Sequence, residues 1–306
     1  MSLEEDTTAA RLLRLVGRGK RVLELGCSVG AQSRVMTQQL DCQVIGVEIN
    51  RDAAVAAGKY CKRVIVANLD KIDLASELNE ERFDVILCAD VLEHLADPLR
   101  TLLSAKSLLV ENGRLILSVP NVAHAALVFE LAHGRFDYRS RGLLDDTHIR
   151  FFTRTNLIRS ASEANMLIEH LERISAIPES TEFTVSPRNV AEQSLMDYIV
   201  SHSPEAFTYQ FIAVLRPSSM GQQETHLANS QFESVNLAEH QRASFSHVSR
   251  STTRLNDLYA VYPRSHSELQ WIKTKKFFQV ASALSAALHR FRTHVRNGFR
   301  PQPKKH

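Results

Sequence analysis

Five short runs of Val, Ile and Leu, separated by helical patterns, constrain the fold of this chain more than any other feature. They are Arg21–Leu25, Gln43–Glu48, Arg63–Ala67, Phe83–Ala89 and Arg114–Val119. Near-continuous apolarity marks strands covered on both faces, hence a parallel sheet. Helical patterns fall at about 31–39, 51–58, 74–80 and 98–110, the last opened by Asp97 as a cap and Pro98 at the first helical position. Alternation of this kind predicts a doubly wound α/β sheet. Residues 120–152 break the pattern. A helix is expected from Arg154 to Ala164, with Thr153 as its cap and Asn165 as its left-handed stop. Strands are expected at Met166–Ile174 and Tyr209–Leu215, with a helix near 189–201 between them. These two close the sheet edge antiparallel, giving seven strands, mostly parallel.

The first strand runs straight into Gly26, Ser28 and Gly30 and then a helical pattern. Small residues there let a ligand approach the backbone, and the helix start offers free N–H groups. A dinucleotide site wants G-x-G-x-x-G, but this loop reads G-x-S-x-G with Glu24 ahead of it. A phosphate-binding GK[ST] is absent. The second strand ends in Glu48, a carboxylate placed to accept both hydroxyls of a ribose. The third ends in Ala67-Asn68-Leu69-Asp70, where a polar side chain meets an adenine edge. The fourth runs into Asp90 and His94. All four features lie at carboxyl ends of strands, where open α/β sheets bind ligands.

ELGCSVG, VIGVE, FDVILCADVLEHLADP and GRLILSVPN, in this order and spacing, resemble the successive motifs of class I S-adenosylmethionine-dependent methyltransferases. The resemblance covers about residues 15–215 and implies a Rossmann-like fold and S-adenosyl-L-methionine as cofactor. It implies that Gly26, Ser28 and Gly30 bracket the methionine part, that Glu24 helps position its amino group, and that Glu48 holds the ribose. It further implies that Ile49 packs on adenine and that Asn68 or Asp70 faces its amino group, with Leu69 and Asp90 completing the set. Two departures stand out: Ser28 replaces the central glycine, and Asn68 stands where an acid is usual. Residues 135–153, RFDYRSRGLLDDTHIRFFT, resemble a subgroup from bacterial surface-polysaccharide gene clusters, implying a sugar or glycan hydroxyl as acceptor. Alternatives are a quinone or other small metabolite as acceptor, and a cofactor-binding scaffold without catalysis.

Methyl transfer from a sulfonium is an in-line displacement, so the protein mainly aligns the reacting atoms. A sugar hydroxyl is a poor nucleophile, and a general base helps it. His94, His124, Asp145, Asp146 and His148 qualify by position. His148 is the first choice and His124 the second, with Asn121, Asp145, Asp146 and Arg150 expected to bind the acceptor. Phe151 and Phe152 are expected as core anchors. Asp145, Asp146 and His148 have metal-ligand chemistry but lack a clear third partner, so no metal is expected.

Residues 1–216 hold 24 Lys and Arg against 29 Asp and Glu, whereas residues 217–306 hold 13 against 5. An acidic body argues against nucleic acid as a partner. Three segments are therefore expected: a methyltransferase domain over 1–216, a polar linker over 217–253 and a basic amphipathic helical tail over 254–306. Phe277, Val280, Leu284, Leu288, Phe291 and Val295 form one apolar stripe on that tail. It suits an anionic membrane surface, a partner protein, or packing onto the body of the chain with its charges solvated. No run approaches the roughly 18 apolar residues of a spanning helix, and the N-terminus lacks a signal-peptide core. Cys27, Cys42, Cys61 and Cys88 form no CxxC pair and read as small hydrophobes in a reducing compartment. The expected location is the cytoplasm, including the inner face of the membrane.

Overall fold

A computed structural model describes residues 3–232. The expected tail, and the expected linker from 233 onward, lie outside these residues. Helix α1 (Thr8–Val16) is capped by Thr7, whose hydroxyl accepts the Ala10 amide, and it buries Leu12, Leu13 and Val16. The alternating region then runs β1 (Arg21–Leu25), α2 (Ala31–Gln38), β2 (Gln43–Glu48), α3 (Arg51–Ala57), β3 (Arg63–Val66), α4 (Leu74–Leu78), β4 (Phe83–Ala89), α5 (Pro98–Ser107) and β5 (Leu109–Pro120). Beyond it come α6 (Ala125–Ala132), α7 (Arg154–Glu163), β6 (Met166–Ser175), α8 (Val190–His202) and β7 (Thr208–Pro217).

The seven strands lie in the order β3-β2-β1-β4-β5-β7-β6, parallel except for β7, which runs antiparallel to both neighbours. This is a Rossmann-like methyltransferase fold. The order reverses between β1 and β4, where such sheets leave a crevice at their carboxyl ends. Leu23, Ile45, Ile86 and Leu117 fill one face of the sheet, and Val22, Val44, Leu87 and Ile116 fill the other. Burial on both faces is why these strands are apolar throughout. A third cluster, including Leu127, Phe129, Leu143, Leu144 and Phe183, holds the region after β5 together.

Three differences from expectation have physical causes. Strand β5 begins at Leu109 rather than Arg114: a register shift between Phe83 and Val85 sets residues 110–113 against Asp84 alone and keeps Leu109 paired with Phe83. Helix α6 stands inside the segment expected to be irregular. The body also continues past Pro217: residues 222–232 are helical, with Thr225 and Asn229 buried. Asn229 takes the Ile168 amide at 2.9 Å and donates to the Met166 carbonyl, covering the edge of β6. The first part of the expected linker is therefore fixed to the sheet. All four cysteines are buried and unbridged. No helix among the described residues is long and apolar enough to cross a membrane.

Candidate active site

The chain leaves β1 through a loop of left-handed turns. Gly26 has φ +70°, Ser28 +48° and Gly30 +80°. A Cβ on Gly26 would lie 2.6 Å from Val91, and one on Gly30 would lie 2.8 Å from the Ala57 backbone, so both positions require glycine. Ser28 adopts the same conformation at a cost of roughly 1–2 kcal/mol. That cost is opposed by a bond from its amide to Glu48 Oε2 at 2.8 Å. The other oxygen of Glu48 accepts the Asn50 amide at 2.8 Å. The carboxylate ending β2 thus holds the loop that follows β1. Beneath the loop Glu24 is buried and accepts the Ser33 hydroxyl. Burial pushes its carboxyl up to about 8, against the opposing pull of that hydrogen bond.

A cleft of about 300 Å³ opens beside this loop, and Gly26, Glu48, Ile49, Asn68, Leu69 and Asp90 form part of its wall. Ile49 is 64% exposed there. Asn68 Oδ1 accepts the Asp70 amide at 2.8 Å. The Asp70 carboxylate accepts the amides of Ala96 and Asp97 at 2.9 and 3.2 Å, so it is committed to bracing the loop after β4. Asn68 and Asp70 both line the cleft, and the Asn68 side-chain NH₂ has no partner among the described residues. Glu24, Ser28 and Gly30 shape the loop but are not part of the cleft wall. The wall fits an adenosyl group. Each oxygen of Glu48 has acceptor capacity beyond its one amide, which suits a ribose diol. Ile49 offers an aliphatic face to a purine, and Asn68 offers an amide to its edge.

A second cleft of about 320 Å³ shares Asp90 and His94 with the first and is also lined by Glu93, Asp145, His148 and Gln210. Asp90 holds the junction in a left-handed conformation, φ +53°, and its Oδ1 accepts Ser118 Oγ at 2.6 Å and the Gln210 side-chain amide. His148 is buried, with Nδ1 3.3 Å from the Leu143 carbonyl. Burial, aided by the neighbouring His94, holds its pKa below the ordinary histidine value, although the Leu143 carbonyl opposes this. Burial alone would raise the Asp145 carboxyl. The hydroxyl and amide of Thr147 nevertheless hold it below the usual range.

Glu93 is the residue here that sequence reasoning missed. It is 1% exposed, and its Oε2 has no hydrogen-bond partner. Burial, followed by the charge of Asp90, pushes its carboxyl up to about 8. Glu93, His94 and His148 bring their ligand-type atoms within 4.8 Å of one another. Among the described residues this set has the carboxylate and imidazole chemistry of a divalent-cation site. It does not use Asp145 and Asp146, the acids that stand out in the sequence beside His148. Tyr209 and Gln210 were also missed. They reach the cleft because β7 pairs antiparallel with β5, placing Gln210 opposite Pro120. No local signal in the sequence announces that register. His94 was legible from its place after β4.

Four expected site residues, Asn121, His124, Asp146 and Arg150, lie off the walls of both clefts. His124 is fully buried as the cap of α6: Nδ1 accepts the Ala126 amide at 3.2 Å, and Nε2 lies 2.9 Å from the Ala176 carbonyl. Both ring nitrogens are therefore engaged with the backbone. Asn121 is fully buried and donates to the Glu205 and Thr208 carbonyls. Arg150 directs its guanidinium to the Ala96 carbonyl and so braces the loop after β4. Asp146 is exposed and lies off the cleft wall. Phe152 is buried as expected of an anchor, whereas Phe151 is 36% exposed.

A family profile described as "Methyltransferase domain" matches residues 4–171. Curated relatives named "Ubiquinone biosynthesis O-methyltransferase" include one from Aeromonas salmonicida, 22% identical over 184 residues, 59% of this chain and 76% of that protein. Another, from Histophilus somni, is 28% identical over 160 residues, 50% of this chain and 66% of that protein. A third, from Haemophilus ducreyi, is 35% identical over 111 residues, 34% of this chain and 46% of that protein. Similar solved structures include magnesium protoporphyrin IX methyltransferase from Synechocystis PCC 6803 with bound SAH. It is 17% identical with a TM-score of 0.45, covering 70% of this chain and 81% of that one. The YcgJ protein from Bacillus is 15% identical with a TM-score of 0.46, covering 70% and 98% respectively.

Proposed function

The chain belongs to the methyltransferase domain family and uses S-adenosyl-L-methionine, and from that premise we propose that it methylates a hydroxyl of a sugar or glycan. One observation carries this reading. The adenosyl-type cleft and a second, polar cleft meet at Asp90 and His94, with His148 on the wall of the second. An acceptor in the second cleft thus lies beside the cofactor cleft. Its wall of carboxylates, imidazoles and an amide suits a molecule with many hydroxyls. The resemblance of residues 135–153 to a polysaccharide-cluster subgroup points the same way.

When bound, the cofactor supplies an electrophilic methyl group whose departure leaves a neutral thioether. The residues of the chain position and deprotonate. Glu48, Ile49 and Asn68 hold the adenosyl group. His148, neutral at pH 7 and with Nδ1 directed to Leu143, accepts the hydroxyl proton at Nε2. Asp145 positions Thr147, whose carbonyl and hydroxyl lie 3.2 and 3.1 Å from His94 Nδ1. Glu93, largely protonated at neutral pH, places no second full charge beside Asp90. A cytoplasmic setting, with the basic segment 254–306 meeting a membrane surface or a partner, belongs to the same reading.

A second reading takes a quinone-type phenol as the acceptor. It is supported by the names of the curated relatives. An assay of thioether release against methyl glycosides, oligosaccharides, nucleotide sugars and catechols separates the two. Turnover of sugars alone supports the first reading, and turnover of catechols alone replaces it with the second. Turnover of neither, together with no cofactor binding at millimolar ligand in calorimetry, leaves a scaffold.

A further inference from the structure

The acceptor cleft has a neighbour that the reaction above does not use. A third cleft of about 330 Å³ shares Gly142 and Tyr209 with it and is otherwise lined by Arg141, Ser180, Thr181 and Glu182, with Ala176. The partition between the two is built with care. Gly142 has φ +96°, and a Cβ there would land on Glu182 Oε1, so no other residue fits without moving that carboxylate. Glu182 Oε1 accepts the Leu143 amide at 2.6 Å, and Oε2 accepts the Tyr209 hydroxyl at 2.9 Å. One carboxylate therefore pins both sides of the wall, the backbone at 142–143 and the phenol of β7. Its charge is engaged by two donors.

The chemistry of the remaining wall is specific. Arg141 is exposed and carries no hydrogen bond or ion pair among the described residues. Its guanidinium offers donors only. Ser180 donates its hydroxyl to the Ile177 carbonyl, and Thr181 donates to the Pro178 carbonyl. With their protons committed, the two hydroxyl oxygens are left with acceptor capacity only. A wall with donors at one side and acceptors at the other is matched by hydroxyl groups, each of which donates and accepts. An apolar ring would leave these groups without partners. A phosphate would meet a single cation, Arg141, with the Glu182 carboxylate on the same wall.

We propose that this third cleft is a second sugar subsite, holding the unit adjacent to the one that is methylated, so that the acceptor is a glycan of at least two units. This rests on the sugar reading of the second cleft. The partition at Gly142 and Tyr209 sets the spacing between the two units, and Arg141 grips the outer one.

The test uses the full chain and compares initial rates on methyl glycosides of glucose, mannose, galactose and rhamnose with rates on the corresponding homodisaccharides. At least one disaccharide is expected to have the lower KM. Arg141→Ala is expected to raise that KM about tenfold, the scale of one charge-assisted hydrogen bond. The same variant should leave kcat/KM for the single sugar and the affinity for S-adenosylhomocysteine unchanged. Saturation-transfer NMR on the outer unit, lost in Arg141→Ala, is the matching readout without turnover. Equal KM values for single and paired sugars, or an equal effect of Arg141→Ala on both, overturns the subsite while leaving the sugar reading intact. Turnover of catechols with no sugar accepted overturns both.

Discussion

The rings of His94 and His148 meet edge to face, with centroids 4.9 Å apart and planes inclined by 68°. They come from separate stretches of the chain: His94 from the turn after β4, His148 from the segment between α6 and α7. Burial disfavours a positive charge on His148, and the neighbouring His94 adds to the effect. His148 therefore loses its proton more readily than an isolated histidine. A neutral imidazole beside the junction of the two clefts is what a general base requires.

His148→Ala is expected to lower kcat by about 10²–10⁴-fold, the usual contribution of a positioned base. Cofactor affinity should not change, because His148 is not on the wall of the first cleft. Wild-type kcat should rise with pH through a pKa below 6.5 and then level, since the base works only when deprotonated. Full turnover by the variant would remove His148 from the mechanism and leave the cofactor site standing.

Glu48 joins the cofactor wall to the loop after β1, because one of its oxygens holds the Ser28 amide. Glu48→Gln keeps the size but replaces one acceptor oxygen with a donor. Loss of one charge-assisted bond predicts about tenfold weaker binding or more. Calorimetry with S-adenosylhomocysteine measures it directly. An unchanged dissociation constant would mean that Glu48 serves the loop alone.

His124 and His148 show where the sequence stops being informative. Both follow β5, and residue type and position alone do not separate a cap from a base. Only burial and partners do: His124 is fully enclosed with both nitrogens bonded. The sheet was legible because strands covered on both faces must be apolar throughout. Gly26 and Glu48 were legible because a tight turn and a strand-end carboxylate leave local marks. Helix α6, AALVFELA, was not, because it is apolar around most of its circumference and lacks a clear helical period. Tyr209 and Gln210 were not, because antiparallel register is a tertiary property.

His124→Ala should therefore damage stability and spare chemistry. It removes a helix cap, worth about 1 kcal/mol, and strands the buried Ala126 amide and Ala176 carbonyl, at about 1–3 kcal/mol. Urea unfolding is expected to show a loss of about 2–4 kcal/mol. At a temperature where the variant remains folded, kcat per folded molecule should match wild type. A kcat loss as large as that of His148→Ala, with stability unchanged, would reverse the two assignments.

Glu24 links the cofactor loop to pH. Its carboxyl ordinarily titrates near 4.5, and in the folded chain it is raised to about 8. The folded state therefore binds this proton more tightly than the unfolded state. The resulting stabilisation is fully present below 4.5 and is lost as pH rises towards 8. Glu93 is raised to the same value by the same main cause, burial, and acts over the same window. Urea midpoints of the wild type should fall between pH 5 and 8.5. Glu24→Gln keeps an acceptor for the Ser33 hydroxyl and has no proton to lose. Its midpoints should fall less, with the residual slope coming from Glu93, and the variant should be the more stable protein above pH 8. Parallel curves for the two proteins would show that Glu24 ionises in the folded state as it does in water, with the buried environment of its carboxyl opened to solvent.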